Sequence, residues 1–124
     1  MKENINELIK KLPDYEDFIR LAEAIESISR ERARLEIAIK SKESDIVKRV
    51  TTDPVYFQGG KSPSMTYIDT AFKYTGLDGE LLPLRESLAS KTAEVDKLKM
   101  TMDIYKTMLD IWRTLSANER KAAL

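Results

Sequence analysis

Seven basic side chains, Arg30, Arg32, Arg34, Lys40, Lys42, Lys48 and Arg49, fall within residues 30–50, against four acids, Glu31, Glu36, Glu43 and Asp45. That density of cations suits phosphate contact, because each cation that meets a phosphate releases a condensed counterion. Just beyond, Tyr56, Phe57, Tyr67, Phe72 and Tyr74 bring five of the nine aromatics together, interleaved with Gly59, Gly60, Lys61 and Lys73. Rings beside glycines and lysines suit the stacking of unpaired bases. The same rings also suit a small core, where Phe72 belongs, with Tyr56 and Phe57 beside Gly-Gly as the ones left on display. The expected nucleic-acid site is therefore Lys40, Lys42, Lys48, Arg49, Tyr56, Phe57 and Lys61, with single-stranded DNA as partner.

Most other chemistry is excluded by what the chain lacks. It has no cysteine and no histidine, which removes thiolate and imidazole metal ligands, thiol nucleophiles and the usual general base. Carboxylate pairs such as Glu23 with Glu26, or Glu16 with Asp17, have no accompanying acid, base or ligand set. A non-enzymatic protein without cofactor or metal is expected. With 21 basic and 21 acidic residues the formal charge is zero, so any electrostatic site must be local. Apolar runs are short, and Met1-Lys2-Glu3-Asn4 does not open a signal peptide; the expectation is a cytoplasmic protein with no membrane role.

The elements that must position these residues are helical. Ile5, Leu8, Ile9 and Leu12 share one face of a short helix over 1–12, which Pro13 stops. Asp14 offers an N-cap, with Asp17 three residues on, for a long helix over 14–52 that Asp53-Pro54 ends. Its apolar positions follow a heptad: Phe18, Leu21, Ile25, Ile28, Arg32, Leu35, Ile39, Lys42, Ile46, Arg49. At 1.5 Å per residue it runs roughly 50 Å. A second long helix over 83–115 repeats the pattern at Leu84, Leu88, Lys91, Val95, Leu98, Met102, Tyr105, Leu109 and Trp112, with Pro83 tolerated in its first turn. Ser116 and Glu119 form a capping-box pattern for a separate terminal helix over 116–124. The crossover over 53–82 is too long and too aromatic for a plain loop, and a short helix is expected from Met65 to Thr75, stopped by Gly76.

One all-α domain over 1–124 follows: a long, coiled-coil-like antiparallel hairpin with a structured crossover. A chain of this size cannot cover every apolar position of two such helices, and Leu12, Tyr15, Ala22, Ala24, Ile37, Val47, Met100, Ile104, Met108 and Ile111 lie off the main seam. Self-association covering a second stripe is expected, making the protein a homo-oligomer. Three cations, Arg32, Lys42 and Arg49, sit on the seam itself, where each must snorkel, pair with an acid of the other helix, or point at a ligand.

This order of features resembles the UvsY-like recombination mediators of large tailed phages. The similar run is Leu35-Glu36, Lys48-Arg49, Tyr56-Phe57-Gln58-Gly59-Gly60, Ser64-Met65-Thr66-Tyr67 and then Glu80 to Leu115. The resemblance implies a ring-forming protein of the host cytoplasm that binds single-stranded DNA and helps a recombinase displace a single-strand-binding protein. Carried over by position, Lys48 and Arg49 would contact phosphate and Tyr56 and Phe57 would lie near bases; the family uses its long helix to oligomerise, and the heptad residues Leu98, Met102, Tyr105, Leu109 and Trp112 are the expected oligomerisation row here. The chain departs from the family in the six residues, including Asp53 and Pro54, that separate Arg49 from Tyr56. The competing expectation is a coiled-coil adaptor or inhibitor that binds another protein and no nucleic acid.

Overall fold

The computed structural model describes Glu7 and residues 9–123. They form an all-α fold: α1 over Tyr15–Thr52, a 3-10 turn over Pro54–Tyr56, α2 over Met65–Ala71, a second 3-10 turn over Leu77–Gly79, and α3 over Leu82–Ala123. The helix expected over 1–12 lies largely outside the described residues; Glu7 and residues 9–11 are helical. No helix among the described residues is long and apolar enough to cross a membrane.

Local chemistry sets the helix ends. At the start of α1 the Asp17 amide donates to Asp14 Oδ1 at 2.8 Å and the Asp14 amide donates to Asp17 Oδ2 at 2.9 Å, a reciprocal cap that satisfies two otherwise unpaired donors. Asp53 ends α1 and caps the next turn by accepting from the Val55 amide at 3.0 Å. Ser64 caps α2 through the Tyr67 amide. That helix is four residues shorter than its expected span. Phe72 leaves helical geometry at its C-cap, and both its ring neighbours, Tyr56 and Tyr67, hold it inward.

The expected break at Ser116 is corrected: α3 runs unbroken through it. A capping box competes with the helix only where the backbone already leaves helical geometry. With no proline or glycine after Pro83, nothing forces the chain out, and the Arg120 Nε donates back to the Ser116 carbonyl at 3.4 Å.

The contacts fall into two compact units. One holds residues up to Ile28 together with Glu94 onward; the other holds Ser29–Ala93. We call them the terminal unit and the crossover unit. In the crossover unit α1 and α3 run antiparallel, since Glu31 pairs with Lys91 and Glu43 with Arg85. Its core is Ile46, Val50, Ile68, Leu77 and Leu81, with Val47, Tyr56, Phe72 and Leu84 packed round it. In the terminal unit Phe18 meets Tyr105 edge-to-face at 5.7 Å between centroids, and Leu21 and Val95 are its buried hydrophobics.

Candidate nucleic-acid interface

The seam of α1 holds as far as Ile39 and then shifts. Beyond it the inward positions are Glu43, Ile46, Val47 and Val50, while Lys42 and Arg49 are exposed. The assignment of Lys42 and Arg49 to the buried seam is therefore corrected. An α-helix turns 3.6 residues, not 3.5, so a strict heptad drifts off the inward face unless the helix supercoils to follow it. The drift brings in Glu43 in place of Lys42, and Arg85 receives it: Nη2 donates to Glu43 Oε1 at 2.7 Å with both side chains about four-fifths buried.

Arg85 is the organising side chain of this end. Its Nε donates to the Tyr74 carbonyl at 2.7 Å, Nη2 also donates to the Lys73 carbonyl at 2.9 Å, and the guanidinium lies 4.6 Å from the centre of the Tyr74 ring. One planar fork thus ties α1, α3 and the chain after α2 together, which a lysine could not do. Nothing in the heptad marked Arg85, because its acceptors are backbone carbonyls that only the returning crossover supplies.

The cations Lys40, Lys42, Lys48, Arg49 and Lys61 are all exposed. None of them forms an ion pair among the described residues. The cross-helix pairing that would have consumed them falls instead to Lys91 and Arg85. They do not share one face. At about 100° per residue, Lys42 and Arg49 lie on one flank of α1, and Lys40 stands about 200° round from Lys42. Lys48 falls within about 40° of the strip that holds Arg34, about 21 Å away along the helix; Arg34 is also exposed.

The crossover tip is a two-residue turn. Gln58 and Lys61 exchange both backbone hydrogen bonds, 2.9 and 3.1 Å, across Gly59 and Gly60, each at positive φ, a conformation that β-substituted residues resist. The Ser62 hydroxyl donates to the Thr51 carbonyl at 3.4 Å. That bond brings the tip, and Lys61 with it, to the last turn of α1, next after Lys48 and Arg49.

The aromatics divide between core and surface. Tyr56 packs edge-to-face on Phe72 at 6.0 Å, as does Tyr67 at 5.9 Å, and Phe57 is half-buried. The pair expected on display is thus mostly turned in, because the 3-10 turn that Asp53 caps swings Tyr56 towards α2. The exposed large hydrophobics of this end are Val55, Tyr74, Met65, Leu82 and Tyr67.

The row Leu98, Met102, Tyr105, Leu109 and Trp112 is half-buried, with Tyr105 against Phe18 of the same chain. Among the described residues no group of three or more acidic side chains is placed to hold a metal ion. No protein-family model, curated protein or solved structure matches the chain.

Proposed function

We propose that the protein is a non-enzymatic accessory factor of recombination or replication that binds single-stranded nucleic acid and works as a homo-oligomer in the cytoplasm. One observation carries the reading: five cations at the crossover end, Lys40, Lys42, Lys48, Arg49 and Lys61, are exposed and free of acid partners. Cations already paired release no counterion on meeting phosphate, and unpaired ones do. Tyr67 and Tyr74, the more exposed aromatics, replace Tyr56 and Phe57 as the side chains offered to bases. A recombinase or single-strand-binding protein is the further partner that the resemblance to recombination mediators implies.

The test is fluorescence anisotropy with a labelled single-stranded oligonucleotide over a salt series. A strand that follows one flank of α1 and the tip meets about three of these cations, which gives a slope of log K against log salt of about −2, and Lys48→Glu with Arg49→Glu lowers both affinity and slope while helicity stays. Absence of binding at low salt sinks the reading. Exposed Val55 and Met65, 81% and 58% accessible, would then point to the adaptor alternative.

A further inference from the structure

The terminal unit carries a face that the fold does not use. Between Leu98 and Asn118 the five charged residues of α3, Lys99, Asp103, Lys106, Asp110 and Arg113, recur at spacings of four and three and so lie along one strip of the helix. The inward row occupies a second strip. What remains is a third, on which Met100, Ile104, Thr107, Met108, Ile111 and Leu115 follow one another without a charge.

Two observations show that this strip is apolar in fact. Met100, Ile104 and Ile111 are 65%, 57% and 48% accessible. Its threonines have turned their hydroxyls into the helix: Thr107 Oγ1 donates to the Asp103 carbonyl and Thr114 Oγ1 to the Asp110 carbonyl, both at 3.0 Å. They present methyl groups outward. Thr107, Asp110, Ile111, Thr114 and Leu115 line a shallow groove there.

We infer that this face binds the same face of a second copy, with the two α3 helices antiparallel about a two-fold axis near Thr107 and Met108. Self-docking sets identical patches against each other, so a patch charged throughout would repel itself; the strip Met100 to Leu115 is uncharged along its length, and Asp110 at its edge is the one charge that lines the groove. The antiparallel register also matches size with size, placing Ile104 against the partner's Ile111 and Met100 against the partner's Leu115. The strip from Met100 to Asn118 is about 27 Å long and about 10 Å wide. That is well short of the roughly 800 Å² per partner of a standard stable interface, so the contact is a weak one, reversible and concentration-dependent. The inference rests on the self-association in the proposed function and is independent of nucleic-acid binding. It moves the contact from the row Leu98 to Trp112 onto a different face, and a two-fold contact closes at two copies.

Light scattering on the full chain over a hundredfold concentration range tests it. The mass is expected to rise from 14.2 kDa towards twice that value. The double variant Ile104→Glu with Ile111→Glu is expected to stay at monomer mass with unchanged helical circular dichroism. A monomer at every concentration overturns both the face and the self-association. A folded double variant that assembles like the parent overturns the face alone. Because the chain has no cysteine, Thr107→Cys supplies a single thiol near the axis, and its oxidation to a covalent dimer decides the matter if the double variant unfolds: a dimer supports the face, and none overturns it. Oligonucleotide binding by the double variant, whose cations are intact, separates this result from the fate of the nucleic-acid reading.

Discussion

The two units are built from the same pair of helices and differ in what a third layer adds. In the crossover unit α2 and two 3-10 turns close over α1 and α3, and six hydrophobics are buried: Ile39, Ile46, Val50, Ile68, Leu77 and Leu81. Among its described residues the terminal unit buries two, Leu21 and Val95, and leaves Ile9, Tyr15, Ile19, Met100, Ile104 and Ile111 in solvent. A helix pair shares one narrow stripe, and further apolar faces need another element or another chain. Charge divides along the same line. The crossover unit holds eleven basic and nine acidic residues, the terminal unit ten and twelve. One unit is packed and basic, fit to present a surface; the other is open and slightly acidic, fit to be covered. Trp112 fits the second description, since its buried indole N–H has no hydrogen-bond partner among the described residues, a cost that a fully packed core does not tolerate.

The contrast breaks most directly on core truncation. Leu81 is wholly inaccessible, and Leu81→Ala is expected to cost about 3–4 kcal/mol by denaturant titration, from lost burial plus the cavity left among Ile46, Val50 and Ile68. Leu21→Ala in the terminal unit is expected near 2 kcal/mol, because a site with one open side relaxes into the gap. Equal costs would mean that the terminal unit is as tightly packed as the other. Hydrogen exchange sharpens the point: amides of α1 around Ile46 should be protected more strongly than those around Leu21.

Next in size is the backbone. Gly76 adopts φ 77° and ψ −175°, a region that belongs essentially to glycine. An added Cβ would meet Glu80 Cγ at 2.8 Å, Leu81 Cγ at 3.0 Å and the Leu81 amide nitrogen at 3.1 Å. Gly76→Ala is expected to cost about 2–3 kcal/mol through strain and contact together. Gly60→Ala, with nothing within 4 Å of its Cβ, is expected to cost about 1 kcal/mol. If the two cost the same, the close approach that seals the crossover is not holding.

How far the residues foretold this division depends on which interactions are local. Caps and stops are local, so Asp14 with Asp17, the end of α1 at Asp53-Pro54 and the Gly59-Gly60 turn were all legible. The inward row of α3 was legible too, because Leu84 through Trp112 is a plain repeat with a real partner. The row of α1 was legible to Ile39 and illegible beyond it. Whether position 42 or 43 turns inward is decided by Arg85, and Arg85 is fixed by carbonyls of Lys73 and Tyr74 that only the folded crossover brings near. Tyr56 was misjudged for the same reason: its neighbour Phe72 is 16 residues away and arrives through α2. The cations were legible as a group, and their separation onto different flanks of α1 follows from about 100° per residue alone.

The smallest expected effect concerns the two cross-helix ion pairs of the crossover unit, and it tests whether the third layer, rather than the helix pair, confers stability. Glu43 with Arg85 lies at 2.7 Å with each side chain 22% accessible, under the chain that leaves α2. Glu31 with Lys91 lies at 2.9 Å with side chains 47% and 35% accessible, on helices with no such cover. The distances are nearly equal, so a difference in coupling must come from solvent. A double-mutant cycle with Glu43→Gln and Arg85→Met is expected to give about 1–2 kcal/mol, because the guanidinium is held by two carbonyls and loses little entropy in pairing. The cycle on Glu31 and Lys91 is expected to give about 0.5 kcal/mol and to vanish in 1 M salt, where charges in solvent are screened within about 3 Å. A Glu31–Lys91 coupling that equals the other and survives salt would place the strength in the helix pair itself. The terminal unit, whose long helices are open among the described residues, would then need no second copy to stand.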